Sequence, residues 1–372
     1  MSIPASEPGL GGTAGVSYQT NTTYNLDGTV KSANYPAAGN LLAEVVAPTY
    51  DAFQRVVKTE GLSTYIGNAR YSLTGKLQEL ELGGAGKRIW INNTYEPGTQ
   101  WLSTSRTERE GVVGVDRAVT YDYDDSGNVT SVTDASRQGT DRQCFRYDYL
   151  QRLTEAWTPA GECAPAPGMA ALGGPAPYWQ SYTYTAAGNR DTDTRHDLTG
   201  KTAGDVTRTY RYDENGKGQP NTLTSVSSTG AVTGKDTYAY EPGGGTESRT
   251  PSGGAKQSFA WDSEGNLVSV TQGPSVTSYL YDADGKRLIS RGPGGVSTLY
   301  LGATEITWTK ATGKTTARRY YDLGGASAVR QDDGSLSFVV GDPPVSALYG
   351  ISGNRRGSGG LPGSLFRVHR GA

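Results

Sequence analysis

The residues that could carry chemistry in this chain are few. Among 372 residues there are two histidines, His196 and His369, and two cysteines, Cys144 and Cys163. A structural zinc wants four thiolate or imidazole ligands converging on one point, and this set spreads them too far for the usual spacings. Ser-His-Asp catalysis would need one of the two imidazoles. His196 sits in a polar link (DTDTRHDLTG), His369 near the end, and neither accompanies a Gly-x-Ser-x-Gly turn. Gly200-Lys201-Thr202 and Gly313-Lys314-Thr315 match the end of a phosphate-binding loop, but the upstream glycine falls at Arg195 and Trp308. Asp122, Asp124 and Asn128, like Asp282 and Asp284, have oxygens spaced as in a calcium loop, without the closing glutamate. The expectation is therefore a protein that is not an enzyme, with no catalytic residues, no cofactor and no metal.

Two further features could bind rather than react. Cys144 and Cys163 are either two buried thiols or one disulfide, which would be worth about 3 kcal/mol through loop entropy and would imply an oxidising compartment. Tyr178, Trp179, Tyr182 and Tyr184 cluster in the sequence, and Trp157, like Trp101, stands in polar surroundings. Such rings could form a glycan platform by stacking on sugar C–H faces, or could simply pack across strands.

What must position all of these is a repeat. An aromatic residue, nearly always tyrosine, opens the phrase Tyr-x-Tyr-Asp-x-x-Gly-Asn/Lys-x-Leu/Val again and again. The clearest copies hold Tyr121, Tyr123, Asp124, Gly127 and Asn128; Tyr182, Tyr184, Gly188 and Asn189; and Tyr210, Tyr212, Asp213 and Gly216. They continue with Trp261, Asp262, Gly265 and Asn266, then Tyr279, Tyr281, Asp282 and Gly285. Taking the aromatic before each turn as marker, units fall at Tyr24, Tyr50, Tyr71, Tyr95, Tyr123, Tyr147, Tyr184, Tyr212, Tyr240, Trp261, Tyr281, Tyr300 and Tyr321. Most spacings lie between 19 and 28 residues, and the one gap of 37 holds the Pro/Ala/Gly-rich stretch 164–177, expected to be an inserted loop. Early units are degenerate, as in YDAFQRVV and YEPGTQWL.

Each phrase reads as a hairpin. Tyr121 and Tyr123, two apart, share one face of a strand. Asp124 to Asn128 supply a turn in which aspartate accepts backbone N–H groups and glycine takes positive φ. Val129 to Val132 return as the second strand, with Val129 and either Ser131 or Val132 competing to set the inward phase. A lone hairpin is marginal in water, so neighbours must pair edge to edge. Nothing keeps helical periodicity for three turns, so the expected fold is all-β: repeated hairpins forming one spiralling sheet, a partial shell, with an open edge prone to association.

Composition agrees. The chain has 24 Tyr against 5 Phe and 52 Gly, with 35% apolar residues, a mix that suits short half-wet strands and tight turns better than an aliphatic core. A formal net charge of −2 gives no field to draw nucleic acid or anionic lipid. No apolar run is long enough for a membrane span, and Met1 to Leu10 lacks the order of a signal peptide.

These phrases resemble the YD repeats of Rhs (rearrangement hot spot) proteins, toxin-complex C subunits and teneurins. CFRYDYLQRLTEAWTPAGEC and LGGPAPYWQSYTY look like actinobacterial Rhs proteins in particular, and YLYDADGKRLISRGPGGVSTLYLGATEI with RRYYDLGGASAVRQDDGSLSFVVGD is similar to the opening of the Rhs-associated core. The resemblance divides the chain into a lead-in over 1–23, a repeat region over 24–342 whose last part, 279–342, is core-like, and a tail over 343–372. It implies a structural shell segment that encapsulates or presents a C-terminal polymorphic toxin effector of a secreted or cell-surface parent. The alternative is an adhesion or carbohydrate-binding module whose partner is a cell-surface glycan or protein. Family members release their effector by aspartate-dependent self-cleavage within the core. From Pro343 the chain instead runs PPVSALYGISGNRRGSGGLPGSLFRVHRGA, without acids and without the Tyr-Asp phrase, so no such aspartate is assigned and a truncated or frame-shifted, solvated tail is expected.

Overall fold

The computed structural model describes residues 8–11, 17–163, 166–212, 219–341, 348–352 and 366–368. Within them the chain is almost entirely β-strand; the exceptions are a four-residue helix, Pro8–Gly11, and the short 3-10 turns Met169–Ala171, Thr202–Gly204 and Pro293–Gly295. Strands pair antiparallel with their neighbours in the chain, so the fold is a succession of hairpins joined edge to edge. The chain divides into two compact units, one of Met1–Thr94, Arg106–Val115 and Leu280–Ala372, the other of Tyr95–Ser105 and Asp116–Tyr279.

In the second unit, strands Arg117–Tyr123 and Val129–Ser136 form the best-defined repeat hairpin. Val129 pairs with Tyr123, but Ser131 pairs with Asp122, so Thr130 is an extra residue, a β-bulge. The bulge settles the phase of the return strand. Val132, opposite Tyr121, shares the tyrosine face with Val129, and Ser131 turns to the other face, where its hydroxyl bonds the Asp122 carboxylate.

The same one-residue slip follows the turn in hairpin after hairpin: at Thr154 opposite Tyr147, Asp191 opposite Tyr184, Thr224 opposite Tyr212, Glu247 opposite Tyr240 and Val268 opposite Trp261. The first unit repeats it at Lys31, Val57 and Gln78, opposite Tyr24, Tyr50 and Tyr71. A strand alternates faces every residue, so one extra residue lets apolar positions three apart, such as Leu267 and Val270, lie on one face.

The core of the first unit joins residues from both ends of the sequence. Ile66, Leu80, Leu82 and Ile89 pack with Tyr321, Ala328, Phe338 and Val340. A second cluster sets Leu10 and Leu41 against Ile289, Leu299 and Ile306. Gly9 lies so close to the Trp308 indole that a Cβ there would overlap the ring, at 1.9 Å, and Thr315 bonds the Gly9 carbonyl at 2.9 Å. Part of the lead-in is thereby a plug in this core. Strand Leu348–Ser352 pairs with Leu336–Gly341, and Phe366–Val368 with Leu348–Ser352; the rest of 343–372, including His369, lies outside the described residues.

Of the stretch 164–177, residues 166–177 lie between strands Leu153–Trp157 and Trp179–Tyr184, which pair directly, so they leave and rejoin the sheet as a loop; 164 and 165 lie outside the described residues. It carries the 3-10 turn Met169–Ala171 and a bridge from Leu172 to Pro159. Cys144 and Cys163 are joined in a disulfide whose Cα atoms are 5.6 Å apart, tying strand Gly139–Tyr147 to the base of this loop.

Candidate functional site

The repeat signature builds one device many times. In the turn, Asp124 Oδ1 accepts the amides of Ser126 and Asn128, each at 2.9 Å, and Oδ2 accepts the Asn128 side-chain amide at 2.9 Å. Asp262 does the same with Glu264 and Asn266, and Asp282 accepts the amides of Asp284 and Lys286. These hydrogen bonds, led by that of the Asn128 side chain, hold the Asp124 carboxyl below the usual carboxylate range. Gly127, Gly188, Gly265 and Gly285 all have φ between 74° and 88°, the left-handed conformation that closes the turn. Asp213 and Gly216 lie outside the described residues.

Some turns use another solution. Gln54, Gln100 and Gln151 occupy the left-handed position with φ of 60–61°. In two of these, arginine replaces asparagine after the turn: Arg55 Nε donates to Asp51 Oδ2 at 2.8 Å, and Arg152 Nε to Asp148 Oδ2 at 2.8 Å. Each guanidinium also lies over the next unit's tyrosine, Arg55 over Tyr71 at 4.7 Å and Arg152 over Tyr184 at 4.6 Å.

The marker aromatic performs the joining step. Tyr123 donates its hydroxyl to the Leu102 carbonyl at 2.8 Å, Tyr147 to Val129 at 2.8 Å, Tyr184 to Leu153 at 2.7 Å, Tyr212 to Arg190 at 2.8 Å and Tyr240 to Leu223 at 2.9 Å. Trp261 keeps the bond through its indole N–H to Thr246 at 2.8 Å, and Tyr71 repeats it with Val56 at 2.9 Å in the first unit. In every case the acceptor is the first residue of the preceding hairpin's return strand. The ring covers apolar surface while its hydroxyl satisfies a carbonyl at the strand's start, which explains tyrosine over phenylalanine.

Tyr121, 3% exposed, instead packs on its own strand's inner face and accepts a hydrogen bond from buried Arg117 at 2.8 Å. Tyr182 bonds Gln180, and Tyr210 bonds Asp193. Tyr279 and Tyr281 are half-buried at the end of strand Ser275–Tyr281.

Trp157 does not serve as part of a glycan platform. Its ring is only 2% exposed, sealed beside Cys144, and it presents no face to a ligand. Tyr178 is half-buried and donates to the Gln143 side chain at 3.2 Å. Trp179 is stacked on His196, ring centroids 3.7 Å apart and planes 24° apart. Cross-strand packing accounts for these rings.

His196 was set aside on sequence grounds, yet the structure places it between Ser181 Oγ, 3.0 Å from Nε2, and Asp205 Oδ2, 3.2 Å from Nδ1. Hairpin register does this, with the His196 amide bonding the Trp179 carbonyl at 3.0 Å. The trio has a nucleophile, a base and an orienting carboxylate. But Ser181 lies mid-strand, paired with Glu155 on one side and Thr194 on the other. Its neighbouring amides are committed to two ladders and cannot form an oxyanion hole. The arrangement holds the loop after His196, whose Asp197 amide bonds Asp205 Oδ1 at 2.7 Å.

Gly200 and Gly313 are positive-φ turn residues, with φ of 79° and 64°. Among the described residues no group of three or more His, Cys, Asp or Glu side chains could hold a metal ion, and no helix is long and apolar enough to cross a membrane.

One cluster had no sequence signal. In the first unit, the buried Glu44 accepts the hydroxyls of Tyr65 and Tyr321, each at 2.5 Å, the Leu62 amide at 2.8 Å and Arg319 Nη1 at 3.3 Å. Arg330 stands 4.0 Å away. Burial pushes the Glu44 carboxyl up, but the two tyrosine hydroxyls, the Leu62 amide and Arg330 outweigh it and hold the group below its ordinary range. Arg319 is also bonded to the Pro36 and Leu42 carbonyls and to Thr304. The cluster ties strand Glu44–Tyr50 to strands Lys314–Asp322 and Ala326–Gln331 across more than 270 residues of sequence.

Comparison with solved structures places this architecture. The crystal structure of TcdB2-TccC3-Cdc42 matches with a TM-score of 0.60 at 18% identity over 90% of this chain, and that of TcdB2-TccC3 with 0.59 at 17% over 90%. The Photorhabdus luminescens Tc holotoxin pore carrying TccC3-D651A matches with 0.60 at 16%, again over 90%. The chain spans only 17–18% of the length of those chains. No protein-family model and no curated protein matches the sequence. The fold is Rhs-like: an antiparallel wall of YD hairpins of the kind found in these toxin complexes.

Proposed function

We propose that the chain is a structural segment of an Rhs/YD-repeat shell, and that its longer parent encloses or presents a C-terminal toxin effector. Residues 24–342 are the repeat wall on this reading, 279–342 the opening of the Rhs-associated core, and 1–23 a lead-in. The observation that carries it is the recurrent tyrosine bond from each hairpin to the start of the previous one. This bond fixes only the relation between neighbouring hairpins, which is what a wall of variable length requires. The fold match to toxin-complex chains supports the same role. The parent would act outside the cytoplasm, secreted or at the cell surface, where the Cys144–Cys163 disulfide persists.

Two experiments test this. Sequencing past the Val340 to Pro343 codons in all three frames should reveal a core followed by a short variable domain; no core-like sequence in any frame would count against the reading. Expressed as that full reading frame, the parent should keep its C-terminal domain intact under protease until the shell is denatured. Digestion of that domain at the same rate as in isolation would refute enclosure.

A further inference from the structure

The Glu44 cluster contains two guanidinium groups and one carboxylate, so it carries one positive charge in excess. Tyr65 and Tyr321 supply no counter-charge, because burial and the neighbouring Glu44 push both above the usual tyrosine range. Arg319 is enclosed by Glu44 and carbonyl oxygens. Arg330 is less well served. Its hydrogen bonds go to neutral oxygens: the Tyr65 hydroxyl at 2.9 Å, the Ser63 hydroxyl at 2.8 Å and, from Nη1, the Gly334 carbonyl at 3.5 Å. This guanidinium is only 7% exposed, and the carboxylate it faces, Glu44 at 4.0 Å, is shared with Arg319, so one carboxylate stands against two buried cations.

That guanidinium borders a cavity of about 280 Å³, whose wall also holds Ser63, Thr64, Gly83, Gly84 and Lys87. Among the described residues no acidic side chain lines it. Lys87 is exposed and has no carboxylate within ion-pair distance among the described residues. Nearby acids are engaged elsewhere: Glu81 with the Trp90 indole and Arg88, Asp332 with the Asn40 and Ala317 amides, Asp333 with the Ser335 amide. Gly83, with φ of 78°, turns the loop tightly over the cavity, and a Cβ on Gly84 would first meet Thr64, at 3.7 Å.

We propose that this cleft is an oxyanion-binding site. Arg330 would be the buried cation, Lys87 the second cation at the mouth, and the Ser63 and Thr64 hydroxyls neutral donors. Its small volume fits the carboxylate or phosphate head of a ligand. The proposal rests on charge and cavity alone, so it stands or falls apart from the shell reading.

The test is calorimetric titration of the whole chain with inorganic phosphate and, separately, with N-acetylglycine, which presents a peptide-like terminal carboxylate. Both runs are held at constant ionic strength with chloride. Saturable one-site binding of either is expected, and the stronger of the two identifies the head group. Lys87→Gln should weaken it about tenfold and Gly84→Val should abolish it, while both variants keep the wild-type melting temperature in chloride. Lack of saturable binding by either anion, or equal binding by wild type and both variants, would overturn the assignment.

Discussion

Tyr147 donates a hydrogen bond of 2.8 Å to the carbonyl of Val129, which stands in the preceding hairpin 18 residues earlier. Val129 is itself paired with Tyr123, whose hydroxyl reaches back to Leu102. Each tyrosine thus holds the residue opposite the tyrosine before it, and the series propagates along the sheet. Tyr147→Phe keeps the ring and removes the bond, leaving the Val129 carbonyl without its donor. We expect a loss of about 1 kcal/mol. Tyr149→Phe, at a ring 90% exposed, should cost nothing measurable. Urea unfolding of the two variants checks this, and equal stability would mean that the hydroxyls are incidental.

The turn glycines separate conformation from packing. Gly127 and Gly265 have nearly the same φ, 88° and 82°, but a Cβ on Gly127 would meet the Trp101 ring at 2.8 Å, whereas nothing lies within 4 Å of one on Gly265. Gly265→Ala should cost about 1 kcal/mol from the left-handed backbone alone. Gly127→Ala should cost more, because Trp101, packed on Tyr123 at 5.1 Å, must move. Melting both variants measures the difference, and equal losses would show that Trp101 yields freely.

The Asp-Gly-Asn turns, the shared face of Tyr121 and Tyr123 and the all-β character were legible in the sequence, because each rests on local chemistry of adjacent residues. The bulge after each turn was not. Both Ser131 and Val132 were candidates for the inward phase, and only the pairing of Val129 with Tyr123 and of Ser131 with Asp122 decides it. Turns closed by Gln54, Gln100 and Gln151 looked degenerate because glutamine is no usual left-handed residue. There the arginine that follows Gln54 and Gln151 grips the turn aspartate and offsets the strain. His196 was dismissed for want of a motif, although counting back from the turn at Thr185–Asn189 would have set it near Trp179. Glu44 and Arg319 meet across 275 positions, a distance no local pattern encodes.

That pair carries its own prediction. Glu44→Gln removes the carboxylate that two buried guanidiniums share, and breaking such a pair costs about 3–5 kcal/mol. The same group gives an acid limit. Its folded pKa lies below the unfolded value, so its stabilisation is complete above the ordinary glutamate range and is lost as pH falls through the folded value. Wild type should therefore lose stability below about pH 4, and Glu44→Gln should lose less over the same interval. Parallel pH–stability curves from denaturant titration would refute the role.

The disulfide should matter locally. Reduction of Cys144–Cys163, which spans 19 positions, should lower stability by about 3 kcal/mol. Cys144 is fully buried, so reductant should act slowly on the native protein and quickly once urea opens it. Thiol labelling with time checks both, and immediate labelling of the native chain would place the sulfurs in a more open site.

The tyrosines themselves set an alkaline limit. Burial pushes the hydroxyls of Tyr71, Tyr147, Tyr212 and Tyr240 above their ordinary range. A raised folded value means the stabilisation is complete below the unfolded tyrosine pKa, about 10, and disappears as pH rises through the folded values. A phenolate cannot donate to a carbonyl, and the two oxygens would repel. Ionising one tyrosine releases its hairpin from the one before, which exposes the next ring and lowers the pH at which it ionises. Absorbance at the phenolate band should accordingly rise in a steep step above pH 10, coincident with loss of β-sheet circular dichroism. Ionisation spread smoothly around pH 10 with the sheet signal unchanged would show that these hydroxyls do not hold the hairpins together.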